Sequence, residues 1–422
     1  MKTTKLLTIF SILMLFSSCT ESHLEEDTKN DLEKENLKGK IRLIHQNSYY
    51  TKETFGEVTK TDLYEQIDSY FNEHGYLTKE NKRYNSSNVF SYEKRTFQHD
   101  EQNNIIELNY ETDSRFGKSK GKTTYKYDSK GNKLEENWYN SKGELEYKYT
   151  YKYDSKGNKV EKNSYNSEEK LKERIVYKYD AKGNEVETIG YDSEGKFEGK
   201  IVYEYDDKGN KIAEIQYNSE GKFGEKFIYE YDIKGNKIAE IWYNSEEKIE
   251  EKEVYLYDKK GNEIGQKRYN ADNALLGEST VIYDKNQNKI EVQDKGYNSQ
   301  GKLLHNYLVK YDEKGNILLK EDTNIKEIPE SIGLISMETQ EVQYVYYDTK
   351  IDKESYVYDK YNNITEEVSY KGYFIGNQMA NEVEIKSNHT YQFDSKGNWI
   401  LKTSTEKGKV WSITERTIEY YD

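Results

Sequence analysis

Residues 203–211 read Tyr-Glu-Tyr-Asp-Asp-Lys-Gly-Asn-Lys, and close variants of this stretch recur through most of the chain. The copies at 125–133 and 177–185 read YKYDSKGNK and YKYDAKGNE. Their aspartates follow one another at six successive intervals of 26 residues, at Asp128, Asp154, Asp180, Asp206, Asp232, Asp258 and Asp284. Such regular self-similarity predicts one structural unit that is used many times.

Each unit contains two turn signals. One is Asp-x-Lys-Gly-Asn, and the other is Tyr-Asn-Ser-Glu-Gly-Lys, as at 217–222. Asp or Asn opens either turn, where its side chain can accept from backbone N–H groups, and Gly supplies the positive φ that a type I turn with a bulge requires. We assign this structural role to Asp128, Gly131, Asp154, Gly157, Asp180, Gly183, Asp206, Gly209, Asp232, Gly235, Asp258 and Gly261.

The stretch between the turns alternates as a strand does. Apolar residues share one parity, and charged residues occupy the other; the apolar set in one unit is Phe197, Ile201, Tyr203 and Tyr205. Period two indicates a strand with one buried face. The second strand of the unit is less regular, because Ile212 and Tyr217 are five residues apart. Either a bulge in this strand or a sheet that is apolar on both faces accounts for that spacing.

These patterns predict an all-β fold: a repetitive antiparallel β-hairpin meander or spiral, elongated, built from 26-residue YD-like repeats. The composition agrees, because 43 of the 422 residues are Tyr and only one is Pro, which would interrupt a sheet ladder. The hydrophobic share of 34% argues against a large aliphatic core, and one Cys excludes a disulfide scaffold. A net charge of −14 argues against a nucleic-acid partner.

The N-terminus has the features of an export signal. Lys2 and Lys5 precede the apolar stretch 6–16, which is too short to span a bilayer but has the length of a secretory signal. The stretch ends at Phe-Ser-Ser-Cys, which resembles the lipobox of bacterial lipoproteins and implies lipidation of Cys19. We therefore expect a signal peptide at 1–18 and a membrane partner held through the N-terminal lipid.

Residues 19–40 are polar and charged, and we expect them to form an acidic flexible tether. The early cluster of Glu21, Glu25, Glu26 and Asp27 resembles the export signal that sends some lipoproteins of the Bacteroidota to the cell surface. A solvated linker accounts for the cluster equally well. We expect localisation in the cell envelope, anchored to the outer membrane, with surface exposure left open.

The Tyr-x-Tyr-Asp-x-x-Gly-Asn core resembles the YD repeat of the Rhs family, which also occurs in insecticidal toxin complexes and teneurins. The likeness covers residues 69–422 and is strong at 125–311. In that family the repeats coil into a β-shell that can enclose a C-terminal toxin. This chain departs from it, because the family repeat is shorter and ends in Gly-Arg, and the Asp-Pro cleavage motif has no counterpart at Pro329. No toxin domain is expected here, and the resemblance implies a YD-repeat lipoprotein of the Bacteroidota.

The repeat register divides the body into four parts. Degenerate N-terminal repeats or a cap occupy 41–124, regular YD-like repeats 125–322, irregular repeats with insertions 323–390, and a C-terminal repeat or cap 391–422. Within the irregular part, 323–341 holds the only proline. A protruding hairpin, a partner-contact loop and a bland insertion are all compatible with it.

The sequence contains no recognisable catalytic or metal-binding motif. The six histidines are scattered, and the loop that begins at Asp284 lacks the glycine of a calcium-binding loop, with Lys289 in its place. The rows of turn Asp and Asn could collect calcium, although their capping role already accounts for them. We expect no enzyme activity, no metal and no cofactor.

The tyrosines are the remaining candidates for binding. Those of the Tyr-x-Tyr pairs share a face with Ile and Phe, which favours packing between hairpins. A second set flanks the other turn and is offered as possible binding aromatics: Tyr139, Tyr165, Tyr191, Tyr217, Tyr243 and Tyr269. The function expected is a lipid-anchored, non-enzymatic envelope scaffold or interaction surface with an unknown protein or glycan partner. A glycan-binding surface lipoprotein is the alternative, and an immunity-type partner of a contact-dependent toxin is the third.

Overall fold

The structure is a computed structural model, and it describes residues 29–86, 89–335, 342–375 and 378–422. In these ranges the chain forms one 26-stranded antiparallel sheet preceded by the short helix α1 (Asp31–Lys34). The first six strands are β1 (Ile41–Thr54), β2 (Glu57–Phe71), β3 (Leu77–Ser86), β4 (Val89–His99), β5 (Ile105–Ser114) and β6 (Gly117–Tyr127).

The middle of the chain forms fourteen strands of 7–9 residues. They are β7 (Lys133–Tyr139), β8 (Leu145–Tyr153), β9 (Lys159–Tyr165), β10 (Leu171–Tyr179), β11 (Glu185–Asp192), β12 (Phe197–Tyr205), β13 (Lys211–Tyr217), β14 (Phe223–Tyr231), β15 (Lys237–Tyr243), β16 (Ile249–Tyr257), β17 (Glu263–Asn270), β18 (Leu275–Tyr283), β19 (Lys289–Tyr297) and β20 (Leu303–Tyr311). The last six are β21 (Ile317–Ile335), β22 (Val342–Tyr358), β23 (Ile364–Ile375), β24 (Gln378–Phe393), β25 (Trp399–Glu406) and β26 (Lys409–Tyr420).

The sheet closes on itself. Each strand pairs with the next along the chain, and β1 also pairs with β26, from Ile41 opposite Tyr420 to Tyr50 opposite Ser412. The all-β antiparallel meander is therefore confirmed, and it closes into a barrel. The elongated spiral is not confirmed. A circular barrel of this strand number, with strands about 4.8 Å apart and tilted by about 40°, has a diameter of about 50 Å.

The Asp-x-Lys-Gly-Asn turn shows why this sequence makes hairpins. In the turn that begins at Asp206, the carboxylate accepts from the backbone N–H of Lys208 at 2.9 Å and from that of Asn210 at 2.8 Å, and also from the Asn210 side-chain amide. Gly209 donates its N–H to the Asp206 carbonyl at 3.0 Å and has a φ of +89°. An L-residue would be strained at that φ, so glycine closes the turn with least strain.

A bulge follows each of these turns in the middle block. In the hairpin of β12 and β13, Tyr205 lies opposite Lys211 and Glu204 opposite Ala213, which leaves Ile212 as the extra residue. The bulge accounts for the spacing of Ile212 and Tyr217. The alternative of a sheet that is apolar on both faces also holds in part, because Val202 lies opposite Ile215 and Ile228 lies opposite Ile241 on the face of Tyr217.

The strand registers define two faces of the wall. Tyr203, Tyr205 and Glu214 share one face with Phe227 and Tyr229, and we call it the tyrosine face. Following the register in both directions carries this face around the barrel to β1 and β26, where Ile44 and Ile418 lie on it. The opposite face, which we call the charged face, has Lys200, Glu204, Lys226 and Glu230 in the same strands.

We infer that the tyrosine face is the concave, lumenal face. Burial is the leading cause of the raised pKa of Tyr203 and Glu173 and of the lowered pKa of Lys162, all on this face. On the charged face, the pKa of Lys178 is raised chiefly by its hydrogen bond to Glu187. Side chains crowd together and lose water on the inside of a curved wall, so we take the face whose ionisable groups are more strongly desolvated as the lumenal one.

The two ends of the barrel differ. Among the described turns, those that follow even-numbered strands lie at one end, which we call the Asp rim, and those that follow odd-numbered strands lie at the other, the hairpin rim. At the hairpin rim several strands are longer than those of the middle block, with 12–19 residues; they are β1, β2, β21, β22, β23, β24 and β26. Closure places these strands in one sector, in which the eight-residue β25 is the only shorter strand of the described sheet, so this sector of the hairpin rim projects beyond the rest.

The irregular segment 323–390 contributes to this projection. β21 pairs with β20 only as far as Asn324, and beyond it pairs with β22 alone, with a register shift between Ile325 and Glu330. The interruption in the repeat is thus an extension of one hairpin past its neighbour.

The N-terminal segment packs against the Asp rim near the seam, which is the junction where β1 pairs with β26. Asn30 caps α1, with its side chain accepting from Glu33 N–H at 2.9 Å and donating to the His74 carbonyl at 2.9 Å. Leu32 is buried in the one hydrophobic cluster found in the described ranges, with Ile41, Ile44 and Phe71. Residues 29–40 are therefore docked to the barrel, in contrast to the flexible tether expected over 19–40. Cys19 and the predicted signal peptide 1–18 lie outside the described residues.

Within the described ranges, none of the helical structure is long or apolar enough to cross a membrane.

Candidate functional site

The second tyrosine of each Tyr-x-Tyr pair links neighbouring hairpins through a hydrogen bond from its hydroxyl to a backbone carbonyl. The Tyr205 hydroxyl donates to the Glu185 carbonyl at 2.7 Å, and the Tyr231 hydroxyl donates to the Lys211 carbonyl at 2.8 Å. The acceptor lies at the start of the preceding strand, 20 residues earlier in each case. The same bond is made by Tyr153, Tyr179, Tyr257 and Tyr283. These hydroxyls are structural and are not free to bind a ligand.

The first tyrosine of each pair alternates with lysines along the lumenal wall. Lys211 Nζ lies 5.3 Å from the ring centre of Tyr203 and 5.1 Å from that of Tyr229. Lys237 Nζ lies 5.6 Å from Tyr229 and 4.5 Å from Tyr255. Each such contact is worth about 0.5–2 kcal/mol, depending on its desolvation. The row is a packed cation–π ladder, in agreement with a packing role for these rings.

The tyrosines offered as possible binding aromatics form a row on the outer, charged face. A cation lies directly across the strand from each, in the pairs Lys122–Tyr139, Lys148–Tyr165, Arg174–Tyr191, Lys200–Tyr217, Lys226–Tyr243 and Lys252–Tyr269. Three of these cations lie 4.6–5.0 Å from the ring centre. The structure brings the six rings into one row and covers one side of several of them, and their role in binding stays a prediction.

The turn aspartates are fully engaged at the Asp rim. Hydrogen bonds from Asn210 hold the pKa of Asp206 below its usual range, and the equivalent bond acts on Asp154 and Asp232. Successive turns are also linked, because Lys208 donates to the Ile233 carbonyl of the next Asp turn at 2.9 Å. In the described part of the chain no group of three or more His, Cys, Asp or Glu side chains is placed to hold a metal.

A buried polar cluster at the seam was not expected from the sequence. We define the seam cluster as Ser48, His389, Ser404, Ser412 and Thr414, which are 1–8% exposed on the lumenal face of β1, β24, β25 and β26. His389 Nδ1 lies 3.0 Å from Ser404 Oγ, and the Thr414 hydroxyl donates to Ser48 Oγ at 3.0 Å. Only closure of the barrel brings β1 beside β26, so no spacing in the sequence could have revealed the cluster.

The His–Ser pair in this cluster lacks the third group of a catalytic triad. Burial, together with the nearby Lys402, lowers the pKa of His389 to about 4, so the imidazole is neutral at pH 7. Around it, in the described residues, we observe no carboxylate hydrogen-bonded to the other ring nitrogen, which a triad uses to orient its base. The geometry supports a structural or ligand-contacting role better than nucleophilic catalysis.

Two strongly exposed aromatic residues lie at the hairpin rim, whereas the Asp rim carries the exposed Ile233. Phe55 is fully exposed at the tip between β1 and β2, and Phe116 is 86% exposed at the tip between β5 and β6. Ile375 and Met379 flank the tip between β23 and β24 and are half exposed. Phe55 also has a φ of +54°, an unfavourable conformation for a bulky residue that no packing contact explains. Exposed aromatic side chains at hairpin tips are typical of an interaction surface.

Fold and surfaces together define a closed, single-walled antiparallel barrel with a charged exterior and an aromatic lumen. No protein-family model matches the chain. No curated protein matches it either.

Three solved structures show low similarity. One is titled "Crystal Structure of TcdB2-TccC3", with 12% identity and a TM-score of 0.20, covering 87% of this chain and 27% of that one. This chain thus spans about a quarter of the length of that structure. A porin-like protein from Bacteroides uniformis has 10% identity and a TM-score of 0.19, covering 90% of this chain and 98% of its own. A porin-like protein from Bacteroides vulgatus has 8% identity and a TM-score of 0.11, covering 72% of this chain and 93% of its own. TM-scores of this size carry no functional argument, and the fold rests on the strand pairing of the chain itself.

Proposed function

We propose that this protein is a lipid-anchored, non-enzymatic barrel of the cell envelope that presents an interaction surface at its hairpin rim. The observation that carries the proposal is that the two most exposed aromatic side chains of the described residues, Phe55 and Phe116, both lie at tips of the hairpin rim, at the end of the barrel opposite α1. The repeated Tyr-Asp turns and the tyrosine bonds between hairpins support the interpretation as a YD-repeat lipoprotein.

The position of α1 supports an orientation for this barrel. The helix is held at the Asp rim by the contacts of Asn30 and Leu32 with the turn that contains Gly75. Lys29 is ten positions after Cys19, and a chain of ten residues reaches at most about 36 Å. A lipid on Cys19 would therefore keep the Asp rim near the membrane and direct the hairpin rim away from it.

The charges on the wall support a barrel that lies outside the bilayer. Lys226, Lys252 and Lys267 are on the outer face near the middle of their strands. A Lys or Arg on the lipid face of a barrel costs about 2–4 kcal/mol at the bilayer midplane. Charged residues at this position recur around the barrel, so the lipid on Cys19 is the attachment that we propose.

The test is site-specific photo-cross-linking in intact cells of the native host. A benzophenone amino acid at position 55 or 116 should give adducts with a discrete partner. The matched control is position 233, because Ile233 is 90% exposed but lies at the Asp rim. Adducts at 55 and 116 that are missing at 233 support the proposal. Equal adducts at all three positions, or none, contradict it. A Cys19→Ser variant should lose metabolic lipid labelling and be released from the membrane fraction.

Glycan binding by the outer tyrosine row is the second candidate function. The observation in its favour is that six rings, from Tyr139 to Tyr269, lie on one face two strands apart, which is an interval of about 9.6 Å. A regular polymer could contact several rings of such a row. A Tyr191→Ala/Tyr217→Ala/Tyr243→Ala variant should then lose retention on an insoluble polysaccharide that retains the wild type. Unchanged retention would exclude the row as the binding surface.

A further inference from the structure

Lysines link successive turns around part of the Asp rim. The lysine two positions after a turn aspartate donates through Nζ to the carbonyl of the residue that follows the next turn aspartate. Lys182 donates in this way to Asp207 at 3.0 Å, and Lys208 to Ile233 at 2.9 Å. The same contact, at 3.2–3.4 Å, is made by Lys130 with Ser155, Lys156 with Ala181, Lys234 with Lys259 and Lys314 with Lys360. This position of the repeat is therefore one that accepts a primary ammonium group.

The turn that begins at Asp100 lacks the linking lysine. Residues 100–104 read Asp-Glu-Gln-Asn-Asn, so Gln102 stands where the linking lysine stands in the other turns. The turn is otherwise of the same kind, because Asp100 accepts from the backbone N–H of Gln102 at 2.8 Å and from that of Asn104 at 2.9 Å. Each of the other described Asp-rim turns that open with Asp carries a lysine one or two positions later. Only this turn, among them, brings no cation of its own.

An open cleft lies where the lysine is missing. Its volume is about 770 Å³, and it is lined by residues of the turns that begin at Asp100 and Asp128. Glu101, Gln102 and Ser129 line it and are exposed to solvent. By its place in the repeat, the Ser129 carbonyl is the acceptor that a lysine of the preceding turn would reach, and in the described ranges we observe no hydrogen bond to it. The acceptor is thus present and accessible while its donor is absent.

The charges around the cleft favour a cation. Asp100 and Asp128 each accept three hydrogen bonds within their own turns and contribute negative charge. The carboxylate of Glu101 has no partner that we observe in the described part of the chain. Lys126 lines the cleft and Lys133 contacts a tyrosine ring of its lining, but each is already paired with a glutamate, at 2.7 and 3.1 Å. Three carboxylates therefore face an opening whose nearby lysines are neutralised.

We propose that this cleft binds a primary ammonium group of a ligand, in the place that a lysine of the chain itself occupies at the linked turns. The ammonium donates to the Ser129 carbonyl, and the carboxylates of Asp100, Glu101 and Asp128 balance its charge. A free aliphatic diamine and a lysine side chain of a partner protein both present this group at the end of an alkyl chain. Ile106 and Tyr125 in the lining offer apolar surface to such a chain. The proposal concerns the Asp rim and does not depend on the interaction surface at the hairpin rim.

The test is titration calorimetry with the full-length protein solubilised in detergent. The probes are cadaverine and the peptide acetyl-Gly-Lys-Gly-Lys-Gly-amide, which carries the same charge. Each is compared with its fully N-methylated form, which keeps the positive charge but cannot donate a hydrogen bond. The primary amines should bind about tenfold more tightly than the methylated forms, since one hydrogen bond from a charged donor is lost. Tighter binding of cadaverine would assign the site to a free amine, and tighter binding of the peptide to a lysine of a partner. Equal affinity for primary and methylated forms, or no binding of either probe, would overturn the proposal.

Substitutions locate the binding at the cleft. Gln102→Lys supplies the missing lysine, which should occupy the Ser129 carbonyl and weaken binding of the primary amines by about tenfold. Asn286→Lys is the matched control, because it adds the same charge at the same position of the turn that begins at Asp284 and should leave the affinity unchanged. Glu101→Gln removes a carboxylate without adding a side chain that fills the cleft, and it should also weaken binding. Circular dichroism and urea unfolding establish that the variants are folded. A folded Gln102→Lys variant that binds as tightly as the wild type, or an equal loss in Asn286→Lys, would contradict the proposal.

Discussion

Replacing Tyr231 with Phe tests whether hydroxyl bonds between hairpins hold the wall together. The ring stays in place, while the bond from the hydroxyl to the Lys211 carbonyl, 2.8 Å long, is lost. An intramolecular hydrogen bond contributes about 0.5–1.5 kcal/mol net. The Lys211 carbonyl stands at the first position of β13 and loses this partner. We therefore expect the free energy of unfolding to fall by about 1 kcal/mol.

The repeat allows the effect to be multiplied. Tyr205, Tyr231 and Tyr257 make the same bond in successive units, with distances of 2.7–2.8 Å. The three sites are two strands, or about 9.6 Å, apart, and effects at such a separation usually add. The triple Tyr→Phe variant should lose about 3 kcal/mol.

Urea unfolding followed by circular dichroism measures the loss as a shift of the transition midpoint at constant slope. Tyr217→Phe is the matched control: its ring lies on the outer face opposite Lys200, and no hydrogen bond of its hydroxyl is observed in the described structure. The control should be neutral within about 0.5 kcal/mol. If Tyr231→Phe and Tyr217→Phe have the same midpoint, the hydroxyl bonds do not stabilise the wall and the reasoning is refuted.

Three further predictions concern the turns and the N-terminal segment. Glu247 has a φ of +59° at the turn position that Gly221 occupies one unit earlier. Because glycine adopts positive φ without strain, Glu247→Gly should stabilise the barrel by about 1 kcal/mol, and Gly221→Glu should destabilise it by a similar amount. Urea midpoints measure both effects. The pKa values of the turn aspartates are depressed in the folded protein because these carboxylates accept hydrogen bonds. The stability that they confer is therefore present above the unfolded pKa of about 3.9, and it is lost as the pH falls through the lower folded pKa values. Urea midpoints measured from pH 6 to pH 2.5 should therefore fall steeply below about pH 4, and less so in a variant with Asn at several turn positions; a flat profile would contradict the role of these carboxylates. Leu32→Ala should cost about 2–4 kcal/mol of local stability and expose 29–40 to proteases, whereas Leu256→Ala, at a side chain that is 41% exposed, should leave the cleavage of this segment unchanged. Equal protection of 29–40 in both variants would show that Leu32 does not anchor α1.

The sequence predicts the hairpins because their determinants are local. Asp206 and Gly209 act within five residues, through a carboxylate that caps the turn and a glycine that adopts positive φ. Alternation of apolar and charged residues then assigns the two faces of each strand. These signals account for the strand order, since consecutive hairpins in a meander pair with their neighbours.

Closure and the sites that depend on it could not be predicted in this way. Whether a meander closes is determined by its accumulated twist and curvature over all strands, which no local spacing reports. The pairing of Tyr50 with Ser412 joins residues more than 350 positions apart in sequence, and it alone brings Ser48 beside Thr414. Docking of the N-terminal segment was missed because Leu32 is one apolar residue in a highly charged stretch, although Asn30 and Glu33 have the spacing of a capping box.

Pulsed electron paramagnetic resonance between spin labels on β1 and β26 tests the central claim, closure of the barrel, most directly. Labels at positions 45 and 417, in a Cys19→Ser background, sit on the outer face at residues that lie directly opposite each other in the seam. The closed barrel places their Cα atoms about 5 Å apart, so the label distance should be below about 20 Å. Labels at 45 and 226, on β14 halfway around the wall, serve as the control and should be about 50 Å apart in a circular barrel. An open sheet would instead separate positions 45 and 417 by about 120 Å, and absence of any short distance for that pair would contradict the account.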